Sequence, residues 1–451
     1  MCALILGLTN PSLRLSSTFM TDSKIVVGID IGTSKIVTLI AKIDEAVNIL
    51  GVSEVKSLGI RKGQIVDIEE AVSVINSSLE GAERMAGYSA SHVIASIGGS
   101  HIESQNSRGV VAVSTPDGEI TRNDIVRVID AAKAISLPSS REIIHVLPRN
   151  YTVDGQEGIK DPIGMTGVRL EVDTHIVTAS TTSLRNLEKA FAEVGVDVDN
   201  IVFNGYASGL SVLSETEKEL GVVLVDIGAG TTDISIYIDG SVSYSSVLPI
   251  GARHITNDLA IGLRISLESA EKIKLYLSRG PEKRKLKIEE DLEEEKEVVS
   301  AKGDELDFSA LSLPEELRKV SKKTLIDGII RPRLNELFTM IGLEIKKSGF
   351  GGQTPAGIVV TGGGAKTIGI QDSAKRMLAM PVRTGIPTGI KGIIDEVEDS
   401  SFATVVGLVI YGSKSEVSNS LPFGFSMPQF SFLRFGKFPK KIIDLIKSFM
   451  P

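Results

Sequence analysis

An α/β protein built from two related halves is expected from three features of the sequence. Val- and Ile-rich runs recur along the chain with helical stretches between them. Residues 24–40, KIVVGIDIGTSKIVTLI, and residues 221–238, GVVLVDIGAGTTDISIYI, repeat one pattern: a β-rich run, Asp-Ile-Gly, small and hydroxyl residues, then a second β-rich run. A third segment, IVVTGGGAKTIGI at 358–370, reads as a buried strand, three glycines and the opening of a helix.

Each of the first two segments reads as a strand, a tight glycine turn and a returning strand. Their separation of roughly 200 residues is too wide for a solenoid and implies two related domains facing each other. A glycine turn exposes backbone N–H groups that can converge on phosphate oxygens, and Gly32, Gly228 and Gly230 remove the Cβ atoms that would block approach. Thr33, Ser34, Thr231 and Thr232 add hydroxyl donors, and Lys35 adds a positive charge near the phosphates. Asp30 and Asp226 fall at strand ends beside these turns. A carboxylate there repels phosphate unless a divalent cation lies between, and hydrated Mg²⁺, which uses few protein carboxylates, meets that need. Taken singly, either hairpin is a plain glycine turn; the same acid in both copies points to a nucleotide.

The third segment, with Gly362, Gly363, Gly364 and Lys366, suits close approach of a nucleotide's sugar and base, or of a phosphate at a helix N-terminus. It lacks the full G-x-G-x-x-G spacing of a dinucleotide fold, and the chain contains no G-x-x-x-x-G-K-[ST].

Composition sets the outer limits. The 451 residues carry 49 Lys+Arg against 57 Asp+Glu, a net charge of −8 that argues against a broad nucleic-acid footprint. Cys2 is the sole cysteine, so no internal disulfide and no structural cysteine zinc site can form. No apolar run reaches the roughly 18–20 residues that span a bilayer. Residues 1–19 lack the basic start of a secretory signal and are expected to be a disordered extension ahead of Met20. The charge-dense EEDLEEEKE at 289–297 reads as a solvated helix or insertion, and 412–439, punctuated by Ser, Pro and Phe without a period, reads as a linker.

In this order, the Asp30 hairpin, the Asp226 hairpin and VVTGGGAK resemble the phosphate-1, phosphate-2 and adenosine motifs of the actin-like ATPase superfamily. Within it the chain resembles the bacterial cell-division FtsA family over about residues 24–412. GIDIGTSKI (28–36), QEGIKDPIGMTGVRLE (156–171), the block from YASG to DIGAGTTDISIY (206–237) and GIVVTGGGAKTIGI (357–370) carry the likeness. The resemblance implies an actin-like fold: two ribonuclease-H-like halves around a nucleotide cleft, with a small α/β domain inserted in the first half. It places the first half at 20–89 and 171–206, the insertion at 90–170, the second half at 207–253 and 331–411, and an outer subdomain at 254–330 holding a charged stretch, 281–312. It also implies ATP and Mg²⁺ as ligands. In SAEKIKLYLS (269–278), Glu271 would meet the ribose hydroxyls and Lys274 the adenine; a surface i,i+3 pair is the alternative. The stretch before YASG offers the amides Asn200 and Asn204, which can orient water but abstract no proton, so slow turnover at best is expected; ordinary turn chemistry explains both amides equally well.

Residues 440–450, KKIIDLIKSFM, separate cleanly on a helical wheel. Ile442, Ile443, Leu445, Ile446, Phe449 and Met450 form one face; Lys440, Lys441, Asp444, Lys447 and Ser448 form the other. Three lysines against one aspartate give the pattern of an interfacial helix on anionic lipid. A helix packed on the protein's own core is the alternative, disfavoured by the linker that detaches the segment. One such helix binds reversibly, and many on a polymer hold by avidity. By resemblance, the chain self-assembles into protofilaments and tethers FtsZ to the cytoplasmic face of the membrane at the division site. A sugar or acetate kinase of the same superfamily is the enzyme alternative; it needs a carboxylate base and a substrate pocket that the sequence does not display. A chaperone ATPase is a third option, disfavoured because no β-rich substrate domain is expected after the nucleotide halves.

Overall fold

The computed structural model describes residues 24–279, 304–306, 308–315, 319–392 and 397–414. The expectations for residues 1–19, for the acidic run at 289–297, for the linker beyond residue 414 and for the amphipathic segment 440–451 lie outside the described residues.

Two sheets repeat one topology. In the first, Lys24–Ile31, Lys35–Ile43 and Val47–Lys56 form an antiparallel meander. The helix Ile68–Ala86 leads to His92–Ile97, parallel to the first strand, and the helix Thr181–Val194 leads to Asp197–Phe203, parallel to that. In the second, Val222–Ile227, Thr232–Ile238 and Ser241–Leu248 form the meander. Arg331–Lys347 leads to Ile358–Thr361, and Ile370–Leu378 leads to Val382–Thr384, both strands parallel. The duplication seen in two short motifs therefore extends to the order of strands and helices, as two ribonuclease-H-like halves require.

Local chemistry sets these elements. Ile68–Ala86 starts where the Asp67 carboxylate accepts from the Glu70 N–H and stops at Gly87, whose φ of 64° no β-carbon opposes. Its face of Ala71, Val74, Ile75, Leu79 and Ala82 buries against the first sheet. Val222–Ile227, central in its sheet, is apolar at five of six positions and buried throughout, as a strand covered on both faces must be. The exception is Asp226.

Several parts of the expected organisation shift. The second half does not run unbroken through 331–411: Ile390–Gly392 joins the edge of the first sheet, and the helix Ala403–Lys414 packs on that same sheet. Gly28 is what lets it settle there, since a β-carbon would lie 3.0 Å from Leu408 Cβ. The linker cannot begin at Gly412, which is buried in the last turn of that helix; a β-carbon there would meet Ile94 at 2.6 Å. Within the charged stretch, Phe308 is buried in the second core and stacks edge-on with Tyr276, because one large apolar side chain outweighs the polar residues around it.

The inserted domain lies later than 90–170. His92–Ile97 belongs to the first sheet, while the insertion has its own antiparallel sheet in the order Glu103–Ala112, Arg169–Ser180, Arg141–Val153, Gln156–Ile159. The helix Arg122–Lys133 covers it, entered by a capping box in which Asp124 accepts from the Thr121 N–H and hydroxyl and from Ser114. This domain also braces the second half. Ser104 Oγ donates to Ser245 O at 2.7 Å, Asn106 donates to Ser243 O at 3.1 Å, and the His175 ring bridges Asn106 Oδ1 and Ser245 Oγ.

Candidate functional site

The two glycine turns face each other. In the first, Asp30 pairs with Val37 and Ile31 with Ile36, leaving Gly32, Thr33 and Ser34 as the loop. In the second, Asp226 pairs with Asp233 and Ile227 with Thr232, leaving residues 228–231. A β-carbon on Gly32 would lie 2.5 Å from Lys35 O, and one on Gly230 would lie 3.0 Å from both Thr33 Cγ2 and Thr33 Oγ1, in the opposite half. Glycine at these positions lets the turns close and lets the halves approach.

The third motif joins the second turn. Thr361 pairs with Asp226 in register. Gly362 adopts φ 82° and ψ 172°, a region open only to glycine, and a β-carbon there would lie 2.6 Å from Ile227 O. One on Gly364 would lie 2.8 Å from the same oxygen, while one on Gly363 would meet nothing nearer than Ser401 Cβ at 3.8 Å. The three glycines are thus not equivalent.

Both aspartates are held by hydroxyls. Ser96 Oγ donates to Asp30 Oδ1 at 2.7 Å and accepts from the Ile31 N–H at 2.8 Å. Asp226 Oδ2 accepts from Ser208 and, at 3.0 Å, from Thr404. Loss of solvent, helped by the Asp226 charge, pushes Asp30 up to about 6 against the lowering by Ser96 and Lys35. Burial likewise raises Asp226, against its two hydroxyl donors. Asp233 is raised furthest, by burial and then by Asp226 and Asp30, and its Oδ1 has no hydrogen-bond partner. Asn204 Oδ1 is also unpartnered, and a β-carbon on Gly98 would touch both side chains, 2.7 Å from Asn204 Nδ2 and 3.4 Å from Asp233 Oδ1.

Three buried carboxyls with raised pKa values, two of them raised further by the Asp226 charge, need protons or a cation between them. Among the described residues no group of three or more His, Cys, Asp or Glu side chains is arranged to hold a metal ion alone. The arrangement therefore fits an ion whose remaining ligands are water and phosphate, the habit of Mg²⁺.

Other expected site residues are placed differently from a simple phosphate cradle. The Lys35 ammonium is engaged by Glu54 Oε2 at 2.6 Å and Ser401 Oγ at 3.1 Å, and lies 4.1 Å from the Phe402 ring centre. Lys366 pairs with Asp399 at 2.7 Å. Thr232 Oγ1 donates to Ile250 O at 2.8 Å and so serves the fold, whereas Thr33 Oγ1 accepts from the Gly63 N–H at 3.1 Å. Thr231 is buried in its turn and Ser34 is exposed. Glu271 and Lys274 do form an i,i+3 pair, at 2.7 Å, but Lys274 is buried, with its ammonium on Thr256 Oγ1 and near Ala252 O. That places the pair against the second turn, where the Ala252 N–H donates to Gly228 O at 2.9 Å. Asn200 lies in the strand Asp197–Phe203 and Asn204 opens the next helix.

Sequence reasoning missed Ser96, Ser208, Thr404, Asp233 and Gly251. Gly251 packs on the second turn, 2.6 Å from Gly228 O for a β-carbon. The glycine pair after Ser96 and the acid closing DIGAGTTD were the available signals.

Comparison with known proteins bears on the family. A family model described as "SHS2 domain inserted in FTSA" matches residues 99–178, and one described as "Cell division protein FtsA" matches 223–407. The chain is 38% identical to the cell division protein FtsA of Pseudomonas aeruginosa, over 87% of this chain and 90% of that one. It is 39% identical to that of Borreliella burgdorferi, over 88% and 93%. For Escherichia coli strain K12 the figures are 35%, 88% and 92%. Among solved structures, the PilM-PilN type IV pilus biogenesis complex aligns with a TM-score of 0.60 at 14% identity, covering 86% of this chain and 98% of that one. MreB5 of Spiroplasma citri bound to ADP aligns with a TM-score of 0.50 at 13% identity, covering 88% and 98%. The structural likenesses establish the actin-like fold alone. Together with the paired turns and the inserted domain, the sequence relatives establish that the chain belongs to the FtsA family of cell division proteins.

Proposed function

We propose that the chain binds Mg-ATP between its two halves and acts as a self-assembling adaptor that anchors FtsZ to the cytoplasmic face of the membrane at the division site. The observation that carries the nucleotide reading is the approach of the turn at Thr33 to the turn at Gly230, each with its aspartate on the adjoining strand. Bound Mg²⁺ would supply the positive charge that lets both carboxylates ionise beside a triphosphate. The protein's own contribution is to hold Asp30 through Ser96 and Asp226 through Ser208 and Thr404, and to clear backbone space at Gly32, Gly228, Gly230, Gly362 and Gly364. Glu271 and Lys274 border the same turn from the outer subdomain and would contact the nucleoside.

Hydrolysis is slow in this reading. The Asn204 amide can orient water but takes no proton, and burial together with the Asp226 and Asp30 charges raises the neighbouring Asp233 carboxyl well above its usual range, which disfavours its ionised form. A sugar or acetate kinase needs such a base and is disfavoured for the same reason. No described helix is long and apolar enough to cross a membrane. Attachment is assigned to the sequence pattern of 440–450, with Lys440, Lys441 and Lys447 on anionic headgroups. Co-sedimentation of the full chain with vesicles containing anionic lipid, with and without Mg-ATP and FtsZ, tests the adaptor. The full chain should pellet and carry FtsZ with it; Leu445→Glu should leave both in solution. Equal pelleting by the variant contradicts membrane anchoring by that face.

A further inference from the structure

The geometry points to Lys62 as the cation that meets the terminal phosphate of the bound nucleotide, in place of Lys35. The inference rests on the nucleotide reading above and deepens it. Ile60–Arg61 and Gln64–Ile65 pair as a small antiparallel hairpin whose tip is Lys62-Gly63. Both tip residues have positive φ, 47° and 73°, the signature of a type I′ turn. Glycine is at home there; lysine is not, since Asn, Asp or Gly ordinarily fills the first position. A lysine kept in left-handed backbone at a hairpin tip calls for a reason other than folding.

The tip's location supplies one. The Gly63 N–H donates to Thr33 Oγ1 in the first turn, and Lys62 Cα lies 3.3 Å from the β-carbon position of Gly230 in the second. The Lys62 backbone is therefore wedged where the two turns meet. A lysine ammonium reaches about 6 Å from its Cα on a flexible four-carbon stem, so a phosphate cradled by either turn is within range. Lys62 is exposed, and Gly63 and Gly99 keep the tip seated, a β-carbon on Gly63 lying 2.8 Å from Gly99 N. Lys35, Lys366 and Lys274 are each occupied by a carboxylate. Arg253 also borders the second turn, through its backbone N–H to Ala229 O at 2.9 Å, and is the competing cation.

The test measures Mg-ATP and Mg-ADP affinity by calorimetry on the full chain, for wild type, Lys62→Gln, Lys62→Gly, Lys35→Gln and Arg253→Gln, with melting temperature alongside. Loss of one charge-assisted contact should weaken Mg-ATP about ten-fold in both Lys62 variants, and Mg-ADP by less than about three-fold. Lys62→Gly should melt at or above wild type, because it relieves the positive φ while losing affinity; a merely structural lysine would do the reverse. Lys62→Arg should recover part of the loss. Unchanged ATP affinity in both Lys62 variants, or a larger loss in Lys35→Gln or Arg253→Gln, overturns the assignment while leaving the nucleotide site standing. Absence of Mg-ATP binding by wild type overturns the site itself.

Discussion

Replacing Gly362 by alanine tests how the third motif is welded to the second turn. The substitution forces alanine into φ 82°, ψ 172°, which costs about 1–3 kcal/mol. Its β-carbon would also stand 2.6 Å from Ile227 O and press on Asp226 Oδ1, both belonging to a strand buried at every position, so relief requires moving the strand. Overpacking of that kind costs about 1–3 kcal/mol more. A total of about 2–6 kcal/mol corresponds to a melting point roughly 2–6 °C lower for a chain of 451 residues. Gly363→Ala is the internal control: its β-carbon has 3.8 Å of clearance and no positive φ, so it should melt within about 1 °C of wild type. Differential scanning fluorimetry on the two variants reads the contrast, and Mg-ATP titration should show Gly362→Ala weakened with it, because the clash displaces Asp226. If the two alanine variants melt together, the close approach of the third motif to the Asp226 strand is wrong.

Three further outcomes follow from burial and charge. His175 and His145 are buried and neutral, with burial pushing their pKa down to about 3 and about 4. The unfolded chain binds protons on them from pH 6.5 downward while the folded one does not, so stability present above that pH is lost as pH falls; at pH 5 each removes roughly 2 kcal/mol. Urea melts at pH 7 and pH 5 should show this, and the pair His145→Gln, His175→Gln should flatten it. For Asp124, burial would raise the pKa, but hydrogen bonds from Thr121 and Ser114 prevail and hold it at about 2. That stability is present above pH 4 and lost as pH falls through 2, and Asp124→Ala should cost the insertion roughly 2 kcal/mol at neutral pH, seen as faster hydrogen exchange in Arg122–Lys133. Lys274→Met should weaken Mg-ATP binding by leaving the Glu271 charge beside the second turn with the Thr256 hydroxyl but no cation; unchanged affinity would remove the outer subdomain from the site.

The hairpins were legible because strand, Asp-Ile-Gly and returning strand are local signals that repeat, and the topology extends the same repeat. The final helix was not assigned to the first half because Ala403–Lys414 is apolar on nearly every face, so no stripe announces which body it covers. The fate of Lys35 was hidden by strand pairing: Glu54 lies on the neighbouring strand, and Ser401 and Phe402 arrive from the far end of the chain. Ser96, Ser208 and Thr404 are single hydroxyls that only the fold gathers around the two carboxylates. Asp233 sits in a strand that alternates like any other, and its isolation appears only when Asp226 and Asn204 are beside it. Glu271 and Lys274 were paired from their spacing, but the burial of the lysine depends on the helix Arg253–Leu263 packing over it.

In the proposed function, Asp30 and Asp226 serve one magnesium nucleotide between the halves. Isothermal calorimetry of ATP against wild type and against the double variant Asp30→Asn, Asp226→Asn, with and without Mg²⁺, tests it most directly. Wild type should bind one ATP per chain with affinity that rises on adding Mg²⁺, and the residual binding of the double variant should no longer respond to Mg²⁺. No ATP heat in wild type, or the same Mg²⁺ dependence in both proteins, would contradict it.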